Sequence, residues 1–162
     1  GKVWVVSFFF ASCPSICRQQ NNRVEELARE FGPQGVTFVN ITVDPANDTP
    51  AVLRKYAHSF HADEKQWLFL TGELEHIQRI GAEIFRLPTK EQAHSERLIV
   101  VDRWGKIRGS FHWREYEQVV AMKQQLAELL AETEPPTEVE QPAEARPQFD
   151  EETGRFIPAE EP

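Results

Sequence analysis

Cysteine is scarce in this chain: among 162 residues there are two, Cys13 and Cys17. That excludes a disulfide scaffold, because the small domains that rely on disulfides are dense in cysteine. Long apolar runs are missing as well. No stretch of about 18 apolar residues occurs, so no transmembrane helix is expected. The apolar run Val3–Phe10 is too short for a span and has the wrong flanks for a signal peptide. Positive charge is also in short supply. The net charge is -8, and the residues from Glu132 onward hold ten acidic and two basic side chains of the chain's 26 and 18. Residues 1–131 therefore carry sixteen of each sign. A nucleic-acid surface needs a concentrated basic patch, and none is present.

What remains is enough for one domain of ordinary size. The composition is 40% hydrophobic, with 11 Phe and 4 Trp to fill a core. Lys2–Phe10 is an almost unbroken β-branched and aromatic run, the pattern of a strand covered on both faces. The chain opens directly in that strand, and an upstream export signal or anchor is expected to precede it. Val24, Leu27, Ala28 and Phe31 recur at helical spacing until Gly32-Pro33 stops the helix. A second strand follows over Val36–Val43. Asp48-Thr49-Pro50 opens a second helix, with a capping residue before Pro at its first position. Trp67–Leu70 is a short third strand. Leu74, Ile77, Ile80, Gly81 and Ile84 mark a third helix. Arg97–Val101 and Lys106–Phe111 flank Asp102-Arg103-Trp104-Gly105, a hairpin with glycine in its turn. Tyr116–Leu130 is a final amphipathic helix.

The expected order is β-α-β-α-β-α-β-β-α. It implies an α/β domain over residues 1–131, with a mostly parallel sheet, helices on both faces and an antiparallel C-terminal hairpin. This is the element order of a thioredoxin-like domain. From 132 to 162 the chain is rich in Pro and Glu and is expected to form a disordered or loosely packed tail. Phe149, Phe156 and Ile157 are its apolar exceptions, and they could dock on something.

The two cysteines lie in Ser12-Cys13-Pro14-Ser15-Ile16-Cys17, between the first strand and the first helix. Pro14 suits the first helical turn, with Ser12 or Cys13 as its cap. Both sulfurs would then sit near a helix N-terminus, where unpaired N–H groups and the macrodipole favour thiolate over thiol. Arg18, next to Cys17, would stabilise that thiolate further. Helical i,i+4 neighbours have Cβ atoms roughly 5–6 Å apart, whereas a disulfide wants about 3.5–4.5 Å. A metal ion between the sulfurs is less demanding. The spacing thus favours chelation without excluding a redox couple, and two incidental thiols in one helix remain the plain alternative.

Two thiolates leave a soft metal short of ligands, so a third should come from elsewhere. There are five histidines. His94 stands in the loop before the Arg97–Val101 strand, which in a thioredoxin-like fold faces the first helix's N-terminus. Thioredoxins carry a cis-proline in that loop. Here no proline occupies 93–96, and a Cys-Cys-His metal site gains over a thiol oxidoreductase. His58 and His61 could pair near a helix end but read as surface residues. His76 and His112 are assigned no role.

At these residues the chain resembles the Sco/SenC family of copper-binding, thioredoxin-like proteins. The matching pieces are Gly1-Lys2-Val3-Trp4-Val5 leading into the Phe-rich strand, Cys13-Pro14-Ser15-Ile16-Cys17, Val43-Asp44-Pro45 with Asp48-Thr49-Pro50, Trp67–Gly72, and His94-Ser95 before the hairpin. The resemblance implies that Cys13, Cys17 and His94 bind copper, as Cu(I) or Cu(II), with Asp44 as support beside the site. It implies a metallochaperone for the CuA centre of cytochrome c oxidase, with the oxidase's subunit II or another copper acceptor as partner. The alternative is a thiol–disulfide oxidoreductase that reduces the acceptor's cysteines and is itself served by thiol reductants. It further implies an extracytoplasmic location, with a membrane held only through an anchor ahead of Gly1. One departure is Arg18, where the family usually has Pro.

Overall fold

The computed structural model describes residues 1–87, 90–92, 95–136, 148–150 and 155–157. The chain divides into two units, Gly1–Glu132 and Thr133–Pro162. In the first, the elements are β1 (Trp4–Phe9), α1 (Ile16–Phe31), β2 (Thr37–Thr42), α2 (Pro50–His58), β3 (Trp67–Leu70), α3 (Leu74–Arg79), β4 (Arg97–Val101), β5 (Ile107–His112) and α4 (Tyr116–Ala131). This is the order expected of a thioredoxin-like domain. The third helix differs in detail, because α3 passes into a wider π turn over Ile80–Ile84.

The sheet order is β3-β2-β1-β4-β5. Strand β1 pairs in parallel with β2 (Val5 opposite Phe38, Ser7 opposite Asn40), and β2 in parallel with β3. On its other side β1 pairs antiparallel with β4. Strand β4 alone runs against the other four, so antiparallel pairing reaches the sheet's centre and is not confined to the edge hairpin. That hairpin turns where expected. Both Trp104 and Lys106 donate backbone hydrogen bonds of 2.9 Å to Asp102 Oδ1. Gly105 has φ 82°, in the left-handed region that glycine adopts at little cost.

The alternation of β1 sorts the core onto two faces. Val3 and Val5 join Val24, Leu27 and Phe31 of α1 and Met122, Leu126 and Leu129 of α4. Val6 and Phe8 join Ile77 of α3 and Phe85. Phe9, at the end of β1, forms a smaller cluster with Leu53 of α2 and Cys17. Phe8, Phe9, Phe38 and Phe60 are fully buried, each worth about 1.5–3 kcal/mol of transfer free energy.

A polar chain crosses the α1 face of the sheet. Ser7 Oγ and Trp67 Nε1 both donate to Asn40 Oδ1 at 3.0 Å. Asn40 Nδ2 donates to Asn21 Oδ1 at 2.5 Å, and Asn21 Nδ2 donates to the Tyr56 hydroxyl at 3.0 Å. Ser7, Asn21 and Asn40 are buried, so these bonds replace those that water can no longer give.

In the second unit, β6 (Gln148–Asp150) and β7 (Arg155–Ile157) pair antiparallel, with Phe149 opposite Phe156. The expectation of a disordered or loosely packed tail, drawn from composition, named no such ribbon. Its strands hold the few large apolar residues of the tail, which have the β propensity that the surrounding Pro and Glu lack. The rest of the tail beyond 136 lies outside the described residues.

Replacing Asn40 by Ala should orphan the Ser7 and Trp67 donors and the Asn21 carbonyl together. The expected loss is about 2–4 kcal/mol, read as a lower guanidinium midpoint at unchanged slope.

Candidate thiol and metal centre

The site forms where β1 ends. Its backbone continues through Phe10, Ala11 and Ser12 to Cys13, whose N–H donates to Phe10 O at 3.3 Å in a tight turn. Helix α1 begins only at Ile16, with Ser15 as N-cap and no backbone N–H capped by the Ser15 side chain. Cys13 therefore precedes the helix, contrary to the expectation that it lies in the first turn, and neither Ser12 nor Cys13 is the N-cap residue. The reason lies in the start of the chain segment: Pro14 sits before the helix, and the turn at Phe10–Cys13 delays the helical dihedrals. The cysteine sulfur still does a cap's work, since Cys17 N–H donates to Cys13 Sγ at 3.4 Å. With Cys13 outside the helix, the i,i+4 spacing argument against a disulfide no longer holds.

The two thiols are unequal. Cys13 is partly exposed and Cys17 is fully buried. Burial works against charge on Cys13, but hydrogen bonds from the backbone of Cys17, Ser15 and Ile16 and from the Cys17 thiol outweigh it. They hold Cys13 below an ordinary cysteine's pKa. Burial pushes Cys17 up to about 12; a hydrogen bond from the Phe10 backbone opposes the rise, while the Cys13 hydrogen bond and the charges of Cys13 and Asp48 add to it. Only one of the two expected thiolates is thus favoured. A sulfur without solvent loses more from desolvation than the helix N-terminus returns. Arg18 does not reverse this, and its guanidinium lies 5.6 Å from the centre of the Phe60 ring.

Two carboxylates organise the loops around the thiols. Asp48, buried, accepts the Ala11 N–H at 2.9 Å and the Thr42 hydroxyl at 2.5 Å. It ties the cysteine loop to the end of β2. The helix cap expected in this region falls to Thr49, whose Oγ1 accepts Val52 N–H at 3.4 Å. Asp44, also buried, accepts both Asn47 Nδ2 contacts at 2.9 and 3.0 Å and Gln92 Nε2 at 3.2 Å. Gln92 N–H also donates to Val43 O at 3.3 Å, and Gln92 has φ 52°. A left-handed non-glycine residue is thus pinned to the end of β2, two positions before His94. Ala93 and His94 lie outside the described residues.

The other histidines take separate places. His58 ends α2, and His61 lies beyond it with φ 52°, its Nδ1 3.5 Å from Glu25. His76 Nδ1 is 3.4 Å from Arg79, and His112 Nε2 is 2.8 Å from Glu96. Among the described residues no group of three or more His, Cys, Asp or Glu side chains is arranged to hold a metal ion. The described part of the site is therefore a sulfur pair, with soft donors suited to Cu(I).

Sequence reasoning missed Asp48 and Tyr56 as site residues. Asp48 looks like a helix cap in Asp48-Thr49-Pro50, and Tyr56 looks like one member of an apolar stripe. Tyr56 packs against the Phe9–Cys17–Leu53 cluster, its ring stacked on Phe9 at 5.4 Å. Burial pushes its phenol up to about 12; the Asn21 hydrogen bond opposes this, and charge on Cys17 or Cys13 adds to it. It stays protonated at neutral pH.

Comparison with known proteins finds the SCO1/SenC family model over residues 1–131. A SCO1 protein homolog of Bacillus subtilis strain 168 is 28% identical over 102 residues, 61% of this chain and 53% of that protein. The chain thus spans about half the length of this curated relative. A solved SCO1/SenC family lipoprotein from Bacillus anthracis superposes with TM-score 0.72 at 27% identity, covering 80% of this chain and 82% of that one. ScoI of Bradyrhizobium japonicum, solved with copper bound, superposes with TM-score 0.64 at 25% identity, over 80% and 85%.

The unequal thiols are testable directly. In reduced, metal-free protein at neutral pH, iodoacetamide should modify Cys13 at least about tenfold faster than Cys17, given the dependence of rate on exposure and thiolate fraction. Peptide mapping by mass spectrometry reads the order.

Proposed function

Since the chain belongs to the SCO1/SenC family, we propose that its 1–131 domain carries a single copper ion as cargo, held by Cys13, Cys17 and His94. The acceptor in this reading is the CuA site of cytochrome c oxidase, in subunit II. The supporting observation is the sulfur pair itself: a partly exposed Cys13 hydrogen-bonded to a buried Cys17 at the mouth of β1. Soft sulfur selects Cu(I), and imidazole suits either copper oxidation state. Copper-bound ScoI, with the same fold, supports copper as the cargo. Asp44 supports the site indirectly by pinning Gln92, and through it the loop that leads to His94.

In this reading Cys13 is the point of contact with an acceptor, because it is the sulfur that reaches solvent. Cys17 and the loops behind it stay in place while His94, on its loop, leaves first. Cargo then passes to the acceptor's cysteines by stepwise exchange of ligands. The proposed location is extracytoplasmic, where such an acceptor faces. No helix among the described residues is long and apolar enough to cross a membrane.

One observation favours a second reading, a thiol–disulfide oxidoreductase. A lowered-pKa, accessible Cys13 beside a buried Cys17 is the division of labour between an attacking and a resolving thiol. Cys13 would attack a disulfide of the acceptor and form a mixed disulfide. Cys17 would then displace the acceptor's sulfur, and two electrons would leave the pair as its own disulfide forms.

Titrating reduced protein with Cu(I) against a competing chelator separates the readings. His94→Ala and Cys17→Ser should each weaken copper binding by on the order of tenfold or more, with disulfide reductase activity low in all samples. Unchanged affinity in His94→Ala with strong reductase activity in wild type would overturn the carrier reading. Asp44→Ala should also weaken binding, by on the order of tenfold, while leaving the alkylation rate of Cys13 unchanged.

A further inference from the structure

The two edges of the five-stranded sheet differ in how they meet solvent. At the β5 edge the ladder with β4 shifts register between Val100 and Val101. That strand also carries Arg108, ion-paired to Asp102 and Glu132. Bulges and charges of this kind keep an edge from pairing with another chain. The β3 edge has neither: Trp67–Leu70 holds no charge and no proline, and its ladder with β2 runs without a shift. Among the described residues no strand lies on its outer side.

The pairing with β2 decides which backbone groups of β3 point outward. Phe38 N–H donates to Gln66 O at 2.7 Å, and Phe38 lies opposite Trp67. In this parallel ladder Gln66, Leu68 and Leu70 turn their N–H and C=O groups to β2. Phe69 turns both of its groups outward, and Trp67 and Thr71 do the same. The Trp67 N–H is held by Asp63 O at 2.7 Å. The side chains add an apolar front. Leu68 and Leu70 share one face and are 36% and 44% exposed. On the other face Trp67 and Phe69 line an open groove of about 350 Å³ with Leu53, Arg54 and Ala57 of α2.

This edge is complementary to itself in one antiparallel register. A two-fold axis beside Phe69 lets the two Phe69 residues exchange both N–H···O bonds, and brings Thr71 N–H to the C=O of the partner's Trp67. The same register sets Leu68 opposite the partner's Leu70, in the position where cross-strand side chains come closest. Further out it sets Lys65 opposite the partner's Glu73, and both are exposed. Symmetry makes each of these contacts twice. Backbone, apolar and charged groups agree on one register, which singles out a second copy over an unrelated peptide.

We propose that the β3 edge is a dimerisation surface for a second copy of this chain, paired antiparallel about Phe69 so that the two sheets become one. An antiparallel pair reverses the strands, so the carboxyl ends of β1, and the thiols beyond them, face opposite ways and stay open. The contact is four residues long on each side. It belongs with small, transient interfaces, with Kd between about 1 μM and 1 mM.

Sedimentation equilibrium of the reduced full chain at low salt, from about 10 μM to about 1 mM, should show the mean mass rising from monomer toward dimer. Leu70→Glu should abolish association over the same range. Lys65→Glu and Glu73→Lys each set like charges opposite one another at both ends, and should weaken it about fivefold or more. Mixed in equal amounts, these two charge variants bring opposite charges together at both ends, and association should return to the wild-type level. All three side chains are exposed, and an unchanged circular dichroism spectrum checks that the fold survives. In the wild type, hydrogen exchange at the Phe69 amide should slow as concentration rises, while exchange at Leu68, which faces β2, should not change. A wild type that stays monomeric throughout, association that survives Leu70→Glu, or a mixture no stronger than its separate components would overturn the proposal.

Discussion

One buried carboxylate holds the thiol centre together. Asp48 accepts the Ala11 N–H and the Thr42 hydroxyl, and so joins the exit of β1, the exit of β2 and the entry to α2. Without it, the turn from Phe10 to Cys13 would have an unpaired backbone donor beside the core, at a cost of about 1–3 kcal/mol. With it, the turn closes, Cys13 stops short of the helix, and its sulfur receives the N–H of Cys17. The inequality of the two thiols follows from that geometry: one sulfur is turned toward solvent among backbone donors, the other is sealed under Phe9 and Leu53.

The same inequality is why both proposed readings, carrier and reductase, start from the same pair of thiols. A metal carrier needs two sulfurs close enough to share one ion, and a thiol reductant needs an accessible nucleophile with a buried partner. At Cys13 and Cys17 the structure shows the accessible sulfur, its buried partner and the Cys17 N–H to Cys13 Sγ bond that links them. The proposed third ligand, His94, is what separates the two readings. The Asp44–Gln92 contact and the Gln92 N–H to Val43 carbonyl bond hold Gln92, with its left-handed backbone, against the end of β2.

Much of the fold was legible in the residues. The Phe-rich run of β1, the Gly32-Pro33 stop, the Asp102–Gly105 turn and the apolar stripes of α1 and α4 rest on local rules that tertiary context did not override. The parallel pairing of β2 and β3 followed from alternating elements. The antiparallel partner at the centre was less legible, because nothing local in Arg97–Val101 says that it pairs with β1 as well as β5. The π turn at Ile80–Ile84 and the ribbon at Phe149 and Phe156 were also missed, since composition and helical periodicity are silent about both.

By itself the sequence determined which atoms could do the chemistry: two sulfurs just beyond the carboxyl end of a buried strand, where a helix begins. Their types and order along the chain are covalent facts and need no packing to express them. Their protonation was decided only by the tertiary structure. Spacing suggested two helix-terminal thiolates, but desolvation depends on what lies over each sulfur, and the cover over Cys17 comes from Phe9 of β1 and Leu53 of α2, 44 positions apart in the chain. The orientation of the Asn40 and Asn21 amides is of the same kind. It depends on an indole in β3 reaching an amide in β2, a contact that no local pattern encodes.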